Sequence, residues 1–126
     1  MEQNTSGIPE KILFLITIMN RDKGEDVAAF YRENGLTFNL ISPGYGAAGL
    51  EILDYLGLTE TEKDIVISIS TEEKVHKVLP LVNNAFNLND PGTGIAFTIP
   101  IAGISGPKAL RYVSGFLERS KGKDVQ

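Results

Sequence analysis

The stretch KILFLITIMNRDKGEDVAAFYRENG, residues 11–35, sets the pattern on which the rest of the chain is read. Ile12 to Met19 is apolar except for Thr17. A run that short and that rich in Ile reads as a strand buried on both faces. It falls well below the roughly 20 residues a membrane-spanning helix needs. Asn20-Arg21-Asp22-Lys23-Gly24 then supplies turn and cap residues, and Val27, Phe30 and Tyr31 recur at i, i+3 and i+4. That spacing predicts an amphipathic helix, capped by Asp22 or Asn20 and closed by Asn34-Gly35, a pair suited to a left-handed C-cap.

Outward from this unit the same alternation continues. Leu36 to Ile41 predicts a second strand, and Ser42-Pro43-Gly44-Tyr45-Gly46-Ala47-Ala48-Gly49, built of small residues and turn-formers, predicts a loop. Leu50 to Leu58 could add a short helix within the connection. Lys63 to Ser70 predicts a third strand, followed by a helix capped by Ser70 or Thr71. Its buried face is Val75, Val78, Leu79, Val82 and Phe86, with a kink expected at Pro80. Asn87 to Gly94 is rich in turn residues; Ile95 to Ile101 predicts a fourth strand, with Pro100 at its end or on an edge. Pro107 opens a last helix whose apolar stripe is Leu110, Val113, Phe116 and Leu117.

The order β-α-β-β-α-β is the ferredoxin-like α+β arrangement, a sandwich of helices on one sheet face, here with a C-terminal helix. Residues 1–10 read as a loose leader, 11–119 as a single domain and 120–126 as a frayed tail. Two crossovers on one side leave the other sheet face bare, so a partner surface, the last helix or another subunit, is expected there.

Composition removes whole classes of chemistry. The chain of 126 residues has no Cys and one His, which excludes the usual zinc sites, thiol nucleophiles and disulfide frameworks. Any triad would have to use His76, which is expected at a surface or rim. Residues 107–126 hold five basic and two acidic side chains, against seven basic and fourteen acidic in the first 106. An acidic body argues against nucleic acid as a partner. The polar start lacks the features of a signal peptide and no segment is long enough to insert into a membrane, so a cytoplasmic protein is expected.

Four segments carry a resemblance to the PII (nitrogen regulatory protein P-II) signal-transduction superfamily. Asp26-Val27 to Gly35-Leu36 resembles the first helix of that family and its exit into strand two. Gly44-Tyr45-Gly46 is similar to the Gly-aromatic-Gly at which the family's T-loop begins. Asp64 to Ile69 with Thr71 to Phe86 fits strand three and the second helix, and Gly92-Thr93-Gly94 running into Ile95-Ala96-Phe97 resembles the B-loop and fourth strand. The resemblance implies a homotrimer that binds a small anionic ligand in clefts between subunits and regulates a target protein through the loop 42–61. The family's common ligand is an adenine nucleotide, ATP or ADP. The ligand-binding residues implied here are Gly44, Tyr45, Gly46, Gly92, Thr93 and Gly94, with no metal and no catalytic group.

This sequence departs from the family at its cations. Ile95 stands where nucleotide-binding members place a Lys, Ala102-Gly103-Ile104-Ser105-Gly106 replaces closely spaced arginines, and Ala47-Ala48 replaces a basic residue and a Gln. Lys108 and Arg111 are the candidates to restore that charge from the last helix, with Arg21 or Lys23 as a second source. Tyr55, in the position of a tyrosine modified in some members, lies among Leu53, Leu56 and Leu58 and is read more simply as a packing residue. Two other functions remain open: a trimeric interaction scaffold without a nucleotide, and a small ferredoxin-like enzyme working at Tyr55, His76 or the acids.

Overall fold

A computed structural model of the chain describes residues 11–45, 62–103, 105, 106 and 108. They form β1 (Ile12–Asn20), α1 (Gly24–Glu33), β2 (Asn39–Tyr45), β3 (Glu62–Thr71), α2 (Glu72–Ala85) and β4 (Gly94–Pro100). The strands build one antiparallel sheet in the order β2-β3-β1-β4. This is the ferredoxin-like α+β fold expected from the sequence. The calls that fall on residues 1–10, 46–61, 104, 107 and 109–126 lie outside the described residues; they include the leader, the tail, the short connecting helix, the last helix opened by Pro107, Tyr55, Gly46 and Arg111.

β1 sits in the middle of the sheet because its apolar residues can be paired on both edges, with β3 from Ile12↔Thr71 to Asn20↔Lys63 and with β4 from Leu13↔Pro100 to Met19↔Gly94. The pleat then sends Leu13, Leu15, Thr17 and Met19 to the helix side, where all are buried. Val66, Ser68 and Ser70 join them from β3, while Val27, Ala28 and Tyr31 from α1 and Val75, Val78 and Val82 from α2 close the core. The opposite face carries Phe14, Ile16, Ile18, Ile65, Ile67 and Ile69, flanked by the exposed Leu40, Ile95, Phe97 and Ile99. No described helix covers it.

The ends of α1 are made differently from one another. Its C-terminus is a Schellman motif: Leu36 N–H donates to Tyr31 O (2.9 Å), Gly35 N–H to Arg32 O (3.2 Å), and Gly35 adopts φ 96°. Leu36, read as the first residue of strand two, is instead the fully buried apolar residue that seals this motif, and β2 begins three positions later. The N-terminus corrects a second expectation. Lys23 is the N-cap residue and makes no side-chain cap bond. The cap comes from β3: Asp64 Oδ2 accepts from Asp22 N–H (3.0 Å) and Gly24 N–H (2.9 Å). A Cβ on Gly24 would stand 2.9 Å from that same oxygen and from Ile41 Cγ2, so a larger residue there has to displace the cap.

The other boundaries follow their local signals, with one exception. Thr71 caps α2 by accepting from Lys74 N–H at 3.3 Å, and α2 runs unbroken past Pro80. Pro100 ends β4 on a sheet edge. The exception is Ser42-Pro43-Gly44-Tyr45, read as loop, which continues β2 in register with Ile65, Asp64, Lys63 and Glu62. Edge position explains it: a proline that would break an inner strand costs an edge strand little.

One buried polar pair ties α1 to the sheet. Tyr31 OH and Thr17 Oγ1 lie 2.6 Å apart with neither residue exposed. Burial pushes the Tyr31 phenol up from 10.0 to about 12, against the opposing pull of its bond to Thr17. A raised folded value means that the unfolded chain gives up this proton first. The stabilisation is complete below pH 10 and is lost as pH rises towards about 12. Stability should fall by about 1.4 kcal/mol per pH unit across that window. Urea unfolding of the wild type and Tyr31→Phe at pH 8 to 11.5 reads this directly: the variant should lose that component of the slope while being less stable at pH 8.

Candidate functional site

The strand order fixes where the glycine motifs fall. Gly44 and Tyr45 end β2, and Gly94 begins β4, so both motifs sit at the same end of the sheet. β2 and β4 are its two outer edges. Three strand spacings separate them, roughly 14 Å. Within one chain the motifs therefore do not share a cleft.

Between them runs a hydrogen-bonded line that the sequence reading missed. Lys63 Nζ donates to Asn20 Oδ1 at 2.9 Å, and Asn20 Nδ2 donates to Gly92 O at 2.9 Å. Lys63 is opposite Gly44 in the ladder and Asn20 is opposite Lys63, so the line crosses from β3 over β1 to the loop before β4. Lys63 is only 3% exposed, and among the described residues this neutral amide oxygen is its one partner. An ammonium forms its strongest hydrogen bonds with anions, which makes Lys63 a candidate cation at this end of the sheet. Alternation alone could have placed Lys63 on the strand, but its partner lies 43 residues away.

The cations proposed from the sequence are placed otherwise. Arg21 pairs with Glu62 (3.4 Å) and Asp64 (3.6 Å), so its charge is already engaged on the helix side. Lys23 is an exposed cap residue of α1, and Lys108 is exposed beyond the sheet. Arg111 and Gly46 lie outside the described residues. His76 is exposed on α2, and among the described residues no group of three His, Cys, Asp or Glu is gathered to hold a metal ion.

The described glycines and Thr93 have structural work of their own. Thr93 Oγ1 lies 2.9 Å from both Asn87 O and Asp90 O, which closes the 87–94 loop on itself. Gly92 takes φ 89° and Gly94 φ 145°. A Cβ on Gly94 would meet Ile18 O and Met19 Sδ at 2.5 Å, whereas one on Gly44 would meet only the end of the Ile65 side chain at 2.7 Å. Tyr45 projects into solvent, 79% exposed. Gly94 is thus demanded by the backbone of β1, whereas Gly44 is packed against the movable tip of the Ile65 side chain.

No family model matches the chain, and no curated protein matches it. Among solved structures the chain is similar to the divalent ion tolerance protein CutA1 from Ehrlichia chaffeensis, with a TM-score of 0.55 over 84% of this chain and 94% of that one, at 15% sequence identity. At that identity the likeness establishes the fold, which the two chains share over nearly the whole of the neighbour.

The two glycines should separate on substitution. Gly94→Ala is expected to destabilise by about 2 kcal/mol or more, from positive φ together with the backbone clash. Gly44→Ala should cost less than about 1 kcal/mol, since a flexible side-chain end can yield. Chemical denaturation of both variants checks the order. Asp64→Ala should cost about 1–3 kcal/mol by stripping the cap from α1, with Asp64→Asn in between.

Proposed function

We propose that this chain is a PII-like signal-transduction subunit without catalytic activity. In this reading it assembles as a homotrimer, binds a small anionic ligand in clefts between copies, and regulates a partner protein through the connection between β2 and β3. An adenine nucleotide, ATP or ADP, is the first candidate ligand. The observation that carries the reading is the placement of the two glycine motifs: they share an end of the sheet but stand on its opposite free edges. Only a second copy can bring Gly44-Tyr45 of one chain beside Gly92-Thr93-Gly94 of another. The half-buried apolar face of Phe14, Ile16, Ile18, Ile65, Ile67 and Ile69, which no described helix covers, supports assembly independently.

Lys63 gives the cleft a cation that the sequence comparison lacked. It stands on β3 opposite Gly44, one strand in from the free edge, with its ammonium turned towards Asn20 on β1, and in this reading it takes the part of the family's Lys that Ile95 displaces. The mechanism is population shift: an anion bound at Lys63 favours one arrangement of the adjoining segment, and the target protein reads that arrangement. A second reading, a trimeric scaffold with no nucleotide, is favoured by Ile95 and by the internal bonding of Thr93.

Light scattering and a thermal-shift screen decide among these. A mass of three chains is expected, and a clean monomer removes the cleft. ATP or ADP at 100 times its Kd should stabilise the protein by about 2.7 kcal/mol. Lys63→Met should abolish that gain and leave the trimer intact. A trimer that no nucleotide stabilises at millimolar concentration is the scaffold.

A further inference from the structure

The end of α1 carries a chemistry that the fold holds back. Of the chain's asparagines only Asn34 is followed by glycine, and both Asn34 and Gly35 are exposed. Gly35 has no Cβ to shield its amide nitrogen, and a Cβ placed there would meet no atom within 4 Å. A side-chain amide next to so unhindered a backbone nitrogen is open to intramolecular attack. We propose that Asn34 is a site of spontaneous covalent modification, deamidation to aspartate and isoaspartate, and that the closure of α1 keeps it latent until that turn opens. The inference does not rest on the assembly proposed above.

Water is the only co-reactant the step needs. The Gly35 nitrogen gives its proton to solvent base and bonds to Asn34 Cγ; the Cγ–Nδ2 bond breaks and ammonia leaves. Water then opens the cyclic imide at one carbonyl or the other, which leaves aspartate or isoaspartate.

Three features of the closed turn oppose that step. The nucleophile is occupied, because Gly35 N–H donates to Arg32 O at 3.2 Å. The leaving group is held as well: Asn34 Nδ2 donates to Phe30 O at 2.8 Å, an oxygen that also accepts from Asn34 N–H at 3.2 Å. The third is the backbone. At ψ 21° the Gly35 nitrogen is nearly eclipsed with Asn34's own nitrogen, whereas ring closure needs it on the side of Cβ. All three are undone together when the last turn frays, as helix ends do. What resists fraying is Leu36. It is fully buried, its N–H donates to Tyr31 O at 2.9 Å, and Tyr31 bonds Thr17 in the core.

Conversion runs one way. A carboxylate has no donor for Phe30 O and adds negative charge where the helix dipole is already negative. The modified turn therefore opens more readily than the original, and the chain keeps a permanent mark of the time its α1 end has spent open.

The test is incubation of the whole chain at mildly alkaline pH, folded and in guanidinium chloride, followed by peptide mapping and enzymatic labelling of isoaspartate. Asn34 should convert at least about tenfold more slowly in the folded protein. In guanidinium chloride it should outpace Asn84, which is exposed on α2 and followed by alanine. Leu36→Val, which loosens the seal, should speed conversion of the folded protein more than Val82→Ala in α2, with both variants matching the wild type once denatured. Asn34→Asp should speed hydrogen exchange at the Leu36 amide by about two- to fivefold from the added charge alone. Equal rates in the folded and denatured chain, or equal effects of Leu36→Val and Val82→Ala, overturn the latch at the end of α1. Conversion no faster than that of Asn84 in guanidinium chloride overturns the site itself, and unchanged Leu36 exchange in Asn34→Asp overturns the lasting effect on the turn.

Discussion

The register of β1 against β3 is the constraint from which the other features follow. Because the side-chain period of a strand is two, a slip of one residue would carry Leu15 and Thr17 to the uncovered face. The same slip would exchange Lys63 and Asp64. As paired, these neighbours serve opposite sides of the sheet: Asp64 turns to the helices and caps α1, and Lys63 turns the other way and bonds Asn20. A single alignment thus places the helix cap, the buried ammonium and the polar pair of Thr17 with Tyr31. Both ends of α1 depend on it as well, since Tyr31 belongs at once to the core and to the Schellman closure.

What the sequence revealed was what local chemistry decides. The Asn34-Gly35 closure and the Thr71 cap each need only a few neighbouring residues, and each reads correctly; Ile12 to Met19, read as buried on both faces, is buried on the helix face and half-buried on the other. The four strands, their order and the ferredoxin-like class follow from the same short-range signals. What escaped was set by distant partners. The α1 cap comes from Asp64, 40 residues beyond Gly24, so the nearby Asn20 and Asp22 looked sufficient. Ser42 to Tyr45 has the composition of a turn, yet the ladder offered by β3 outweighs that preference at an edge. Lys63 resembles any charge at a strand start until its bond to Asn20 is seen.

The glycines illustrate how one residue type can mean two things in the same motif. Gly94 is explained by the backbone and sulfur atoms it touches, and it needs no ligand to justify it. Gly44 has the tip of the Ile65 side chain against it, a neighbour that can shift where a backbone atom cannot. The likeness to a solved structure at 15% identity fixes the architecture and leaves that distinction to this chain's own atoms. Thr93 belongs with Gly94, because its hydroxyl is spent on the loop that carries it.

The central place of β1 has a kinetic meaning. Ile16 pairs with Ile67 on one side and Phe97 on the other, so the strand made first on the ribosome waits for partners made much later. Loop closures of that length must precede the contacts that reward them, which slows folding relative to a helical bundle of similar size. In the interval Ile12 to Met19 is an unpaired apolar ribbon with two open edges. The segment that organises the finished molecule is thus also the one that waits longest, among the four strands, for both of its edges to be paired.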